Sequence, residues 1–464
     1  MHALAALLLL TSTAAGAPPA RGAGEPPPAE AAPKLAVETT TLPNGLTVLL
    51  SRDTRLPVVA VEVRYMVGSA NERPGRTGFA HLFEHLMFQG SQHFDDEYFR
   101  PFEPIGARVN GTTSNDRTVY YERVPSNYLE TVLWMESDRM GYLLGALDQA
   151  KLDNQRDVVK NERRQNYEDR PYGVAWGALH AALFPADHPY HHIPIGSHAD
   201  LTAATLDDVK AFFRRYYVPA NAVLTIVGDF EPDQARELVE RYFGDLPGGA
   251  RAKAPEAPPV KVTSPRLVQV HDEVKLPRVY LAWPSPALYA PGDAALDVWS
   301  SVLTDGKSSR LYKPLVYDQK VAKDVQSFQY SRRLGGMFII QATAAPGKTA
   351  DDVAAALLKA LRAAEAQPPT EDELTRTLNG WRKSFFERLG GVLARAQLLS
   401  NYFHMTGRAD YLAQDLARYT RLTSNEVAEV ARATLSTDAY VRLDVLPVAA
   451  AAAPARRRVQ GGAP

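Results

Sequence analysis

The stretch His81-Leu82-Phe83-Glu84-His85 puts two imidazoles and a carboxylate into an otherwise apolar segment, Gly78 to Phe88. On a helix His81 and His85 stand at i and i+4, one turn apart, so both rings can reach one ion. Glu84, three residues after His81, can approach that ion without serving as a ligand. Two His ligands, a spare carboxylate and an open coordination position are what zinc needs to activate water. The spacing is the inverted H-x-x-E-H order. Leu82, Phe83, Leu86 and Met87 belong to the core side of the helix, and burying three titratable groups among them without a purpose is costly.

Such a site needs a third protein ligand, and none lies nearby in sequence. The segment Leu147 to Asn166 has the pattern of a helix, and on it Glu162 follows Val158 and Val159 by four and three residues. That stripe directs Glu162 toward the core; a solvated Glu in a charged helix is the other reading. Between the two helices, Arg108 to Thr113 and Thr118 to Val124 read as strands joined by Ser114-Asn115-Asp116-Arg117. Tyr120 and Tyr121 fall on the second of them, and the pattern does not choose which faces the site.

His81 to His85, followed after 76 intervening residues by Glu162, resembles the pitrilysin/insulinase family of zinc peptidases. The likeness is to its shorter bacterial and mitochondrial-processing-peptidase-like members. It extends to Gly78-Phe79-Ala80, Phe88-Gln89-Gly90-Ser91, Val158-Val159-Lys160-Asn161, Tyr216-Tyr217-Val218-Pro219-Ala220-Asn221 and Ile226-Val227-Gly228-Asp229. It spans residues 38 to 445, densely in the first half and sparsely in the second. The resemblance implies that His81, His85 and Glu162 hold the zinc and that Glu84 is the general base. It implies that Asn110-Gly111-Thr112-Thr113 is the edge strand along which an extended peptide is bound, by β-augmentation. Many members carry a second acid seven residues before the ligand Glu, where this chain has Gln155. Gln155 lies on the Glu162 face and is expected to act on a ligand imidazole from behind, without charge.

Among 464 residues there are 52 Lys+Arg and 53 Asp+Glu, a net charge of −1, so no basic field exists for a nucleic acid. The 45% hydrophobic and 23% charged content is that of a globular chain. No cysteine is present, which excludes disulfides, cysteine nucleophiles and thiolate metal sites. The apolar run Ala3 to Leu10, with small residues through Ala17, reads as a signal peptide (1–17), too short to span a bilayer as an anchor. Export, to the periplasm, is the expectation. A Pro/Ala-rich linker (18–34) precedes a zinc-binding catalytic domain (35–246), a second linker (247–259) and a homologous domain without metal ligands (260–447). An Ala-rich tail with Arg456-Arg457-Arg458 (448–464) closes the chain. In both halves an apolar strand (Val58 to Met66, Val279 to Trp283) leads through a loop into a helix (Gly78 to Phe88, Ala294 to Leu303). That shared grammar reads as a duplication of an α+β unit, a largely antiparallel sheet packed with helices; the resemblance makes the pair half of a clamshell.

The remaining motifs carry less. His188, His191 and His192 lack an organising acid and read as a structural loop; His93, His180, His198, His271 and His404 are isolated. Gly306-Lys307-Ser308-Ser309 lacks the first glycine of a phosphate loop, Ser301 standing there. Active relatives place an Arg and a Tyr opposite the zinc, on a strand and turn of a late domain. The matching stretch here, Gly335 to Gly347, has neither, and Arg310 and Tyr317 read as surface residues of an earlier helix. The expectation is therefore a zinc metalloendopeptidase acting on peptides, paired with a homologous zinc-less subunit that supplies the Arg/Tyr pair; a homodimer is the second arrangement. The alternative function is a catalytically weak or silent peptide-binding subunit, although such chains lose the ligands or the base. A structural zinc site would need four ligands, and three are seen.

Overall fold

A computed structural model describes residues 34–448. The expected leader (1–17), its linker up to residue 33 and the tail beyond Val448 lie outside the described residues. The first sheet contains β1 (Glu38–Thr41), β2 (Thr47–Arg52), β3 (Val58–Tyr65), β4 (Arg108–Thr113), β5 (Thr118–Pro125) and β6 (Ala222–Gly228). Their order is β1-β2-β6-β3-β5-β4. The second contains β7 (Arg266–Asp272), β8 (Arg278–Ser285), β9 (Ala322–Arg332), β10 (Gly335–Ala344) and β11 (Val441–Pro447), in the order β7-β11-β8-β10-β9.

With β1 set aside the two orders are the same, β2 corresponding to β7 and β6 to β11. In each sheet that pair runs parallel and its neighbours antiparallel. The strand-to-helix step repeats as well: β3 leads to the helix Phe79–Leu86 and β8 to the helix Asp293–Thr304. Both helices start after a glycine at φ +90, Gly78 and Gly292, a left-handed backbone that side chains resist. The fold is α+β, with two related sheets.

The central strands of each sheet are covered on both faces, and β6 is buried along its whole length, Thr225 included, while the edge strands β1, β4 and β7 keep exposed residues. On β3, Val59, Val61, Val63 and Tyr65 face the main core of the first half, while Ala60 faces a separate cluster on the opposite side. That cluster is closed by the helix Val392–Thr406, through Ala396 and Leu399, contributed by the second half of the chain. The exchange is reciprocal: the helix Val174–Leu183 from the first half lays Ala175, Leu179 and Leu183 on Tyr280, Ala282, Met337 and Ile339 of the second sheet. Each sheet is thus completed by the other half's helix, and the two halves cannot separate without exposing both apolar faces.

Polar contacts reinforce this junction. Glu62 on β3 pairs with Arg64 at 3.2 Å, and Ser400 donates to Glu62. Arg332, at the end of β9, donates to Asn115 Oδ1 at 2.9 Å from across the junction. Arg310, expected on the surface, is instead a half-buried tie: its guanidinium pairs with Glu373 at 2.6 Å and donates to the carbonyls of Ala364 and Pro368. It sits in a turn before the π-helical segment Lys313–Asp318, where Tyr317 is exposed as expected.

Candidate active site

The motif helix Phe79–Leu86 is short and has no side-chain N-cap of its own. Its first N–H groups are taken by a carboxylate from the preceding loop: Glu72 accepts from Gly78 N at 2.9 Å and from Ala80 N at 2.8 Å. Glu72 is held in turn by His192 Nε2 at 2.8 Å. The His188/His191/His192 loop therefore steadies the start of the motif helix. His191 Nδ1 meets the Phe184 carbonyl at 2.8 Å, and His188 Nδ1 accepts from Tyr190 N at 2.9 Å. On the helix, Leu82, Phe83 and Leu86 are buried, Phe83 packing on Phe213 and Tyr217. This fixes the roll of the helix, so His81 and His85 emerge together with ring centroids 4.8 Å apart.

Glu162 comes from the helix Gln149–Arg163, which starts at the N-cap Asp148 and is anchored by fully buried Leu152 and Val159. Val158, expected on the same buried stripe, is 41% exposed. Glu162 instead continues the buried stripe of Leu152, Gln155 and Val159, at successive spacings of three, four and three, and Val158 falls outside it. Immediately after Glu162 the helix widens into a π-turn, Arg164–Glu168, a distortion frequent at functional sites. Glu168 of that turn is gripped by Arg163 at 2.9 Å and His198 at 2.9 Å; nothing in the sequence spacing marked His198 for this task.

Glu162 Oε2 lies 3.6 Å from His81 Nε2 and 3.4 Å from His85 Nε2. One ligand atom from each of the three residues falls within 4.8 Å of the others. Zinc bonds of about 2.0–2.1 Å in a tetrahedron separate ligand atoms by about 3.3 Å, so the donor set fits that ion with one position open. Burial, then the neighbouring His85, pushes the His81 imidazole down to about 4, leaving it neutral at physiological pH as a metal requires. The approach of His85 holds the Glu162 carboxyl below its ordinary value.

Glu84 is not part of this triad. It is 8% exposed, and its Oε2 accepts from Thr113 Oγ1 at 2.6 Å. Burial raises its proton affinity, against the opposing hydrogen bond from Thr113. Gln155 is buried, but its amide donates to Asn154 at 3.0 Å, and His81 Nδ1 has no hydrogen-bond partner among the described residues. The expected contact from Gln155 to a ligand imidazole is therefore not made; the side chain turns along its own helix to its neighbour.

Strand β4 forms a free edge of the first sheet beside the motif helix. Ser114 N donates to Arg117 O at 2.9 Å at the closing turn, and pairing alternates from there. Gly111 N is thus turned away from β5, and Asn110 Oδ1 takes it at 2.8 Å. A Cβ on Gly111 would lie 3.1 Å from Glu84 Cγ and 3.0 Å from Phe88. Thr113 and Gly111 face the motif helix, whereas exposed Asn110 and Thr112 face the other side of the sheet. Tyr120 is fully buried beside Phe88, so it is the tyrosine on the site face of β5; Tyr121 points the other way.

Residues 47–193 match the family described as insulinase (peptidase family M16), and residues 203–380 match the peptidase M16 inactive domain. The zinc protease PqqE of Helicobacter pylori is 30% identical over 387 residues, 82% of this chain and 86% of its own. The chain belongs to peptidase family M16. The crystal structure of a protease from Helicobacter pylori, 28% identical, superposes with a TM-score of 0.82 over 89% of this chain and 100% of that one. A probable mitochondrial-processing peptidase subunit beta of Schizosaccharomyces pombe is 25% identical, over 85% of this chain and 88% of its own. Within this M16 chain the His/Glu cluster lies in the half matching the insulinase description, and the half without it matches the inactive domain.

Proposed function

We propose that this M16 chain is a zinc metalloendopeptidase that hydrolyses extended peptides or unfolded polypeptide segments, with Glu84 as general base. The observation that carries this reading is the convergence of His81, His85 and Glu162 beside a buried carboxylate that is not one of them. When bound by those three residues, zinc supplies Lewis-acid polarisation of a scissile carbonyl and makes water more acidic. Glu84 takes the proton of the attacking water and hands it to the leaving amine. Its two environments suit both steps: the Thr113 hydroxyl favours the carboxylate, and burial favours its protonated form.

The open edge of β4 holds the substrate main chain. Gly111 N exchanges its Asn110 partner for a substrate carbonyl, and the missing side chain at Gly111 keeps the path beside Glu84 clear. We place this chain in the periplasm, paired with a homologous zinc-less subunit. Strand β10 (Gly335–Ala344) and the turn after it carry no Arg and no Tyr, and a relative of similar length is named as a subunit. No described helix is long and apolar enough to cross a membrane.

Metal analysis and peptide turnover on the purified chain, alone and with its partner, test the reading. About one zinc per chain and turnover abolished by Glu84→Gln are the expected results. Zinc binding with no turnover in any assembly would instead make this a silent, peptide-binding subunit.

A further inference from the structure

The face of β4 and β5 turned away from the motif helix carries Arg108, Arg117 and Arg123, and Glu62 of the neighbouring β3, which shares that face, is already bound by Arg64 and Ser400. Arg108 and Arg123 are direct cross-strand partners, and both are exposed. Like charges placed opposite each other on a sheet cost stability, yet among the described residues neither is joined to an acid. At the other end of the hairpin Arg117 donates to the Thr112 carbonyl at 2.8 Å and likewise pairs with no acid among the described residues. Arg108 and Arg123 line a groove of about 550 Å³ between this face and the start of the helix Val392–Thr406. The carboxylate lining that groove, Asp53, is already shared by Arg55 at 2.6 Å and Arg395 at 3.0 Å. In a chain with 53 acids and a net charge of −1, this local excess is not a matter of composition.

Its position relative to the edge strand indicates what it meets. A peptide strand added to β4 lies about 4.8 Å away and shows alternate side chains to the two faces. Peptide residues opposite Gly111 and Thr113 face Glu84 and the metal ligands. Those opposite Thr112 and Arg108 face the arginines. The two cationic positions are four residues apart on β4, about 13 Å along an extended chain. Resting on the peptidase reading above, we infer that the substrates are acidic peptides, with carboxylate side chains four residues apart held by Arg117 at one end and by Arg108 and Arg123 at the other. These arginines are specificity residues; they do not touch the reacting atoms.

The test uses three fluorescent peptides of one length, differing only by Glu, Gln or Lys at two positions four residues apart. Binding is measured by anisotropy to the zinc-loaded full-length Glu84→Gln chain, with and without an added Arg108→Glu/Arg123→Glu pair. The Glu peptide is expected to bind about tenfold tighter than the Lys peptide at 50 mM NaCl, with the advantage eroded at 500 mM. The charge-reversed chain should invert the order, and Arg108→Gln/Arg123→Gln should level it. Equal binding of the three peptides, or an order that survives charge reversal, overturns the inference. Turnover by the wild-type chain separates the two readings. Cleavage of all three peptides with equal efficiency removes only the charge preference. Ranked binding without cleavage, in the presence of partner, removes the peptidase reading and leaves the arginine surface for acidic peptides standing.

Discussion

Gly111→Ala tests whether the edge strand and Glu84 form one precise contact. The backbone at Gly111 is not left-handed, so alanine is tolerated there by the main chain, and the consequence is purely one of space. The new Cβ would stand 3.1 Å from Glu84 Cγ and 3.0 Å from Phe88 Cε2, against about 3.5–4.0 Å for relaxed carbon contacts. One neighbour must therefore yield by about 0.5 Å. Phe88 is locked, stacked on Phe99 at 4.8 Å and flanked by Tyr98, Tyr120 and Arg139. Glu84 is held at its tip by Thr113 alone among side chains, so it moves. A 1 Å misplacement costs about 10²-fold in rate, and half that displacement is expected to cost about tenfold in kcat. Overpacking should also remove about 1–3 kcal/mol of stability. Zinc content should be unchanged, because His81, His85 and Glu162 are not touched. The measurements are kcat and KM on a fluorogenic peptide, zinc per chain, and thermal unfolding. Full activity with intact zinc would refute the placement of Glu84 as the base packed beneath this strand.

Three further outcomes follow from the same geometry. Glu84→Gln should retain zinc and lose about 10²–10⁴-fold in turnover, whereas His81→Ala or Glu162→Ala should lower zinc occupancy; elemental analysis beside a peptide assay distinguishes them. Because the ligands join two helices far apart in sequence, chelation should lower the melting temperature of the wild-type chain and leave Glu162→Ala nearly unaffected. Burial raises the Asp297 carboxyl to about 7, while its ordinary value is 3.8. The folded chain keeps a proton there that the unfolded chain releases first, so this stabilising contribution is complete below about pH 4 and is lost as pH rises through 7. Asp297→Asn should therefore flatten the loss of stability between pH 5 and pH 8 by on the order of 2 kcal/mol, measured by denaturant unfolding.

What the sequence by itself determined is local. The i, i+4 spacing of His81 and His85 needs only one helical turn, and the apolar residues beside them dictate which way that turn faces. The β4–β5 hairpin follows from alternation about a four-residue turn, and the duplicated strand-to-helix step from a repeated apolar pattern closed by glycine. Tertiary structure decided everything that joins elements across long separations. Glu162 reaches the imidazoles only because Val159 and Leu152 seat its helix against the motif helix, and the same seating turned Gln155 toward Asn154 and left Val158 in solvent. Glu72 and His192, 120 residues apart, cap the motif helix together, a role that neither residue type nor spacing reveals. The exchange of the helices Val174–Leu183 and Val392–Thr406 between sheets, and the tie from Arg310 to Glu373, likewise depend on which faces meet when the chain closes. Periodicity records that a face is apolar, whereas its partner is chosen by the packing of the whole chain.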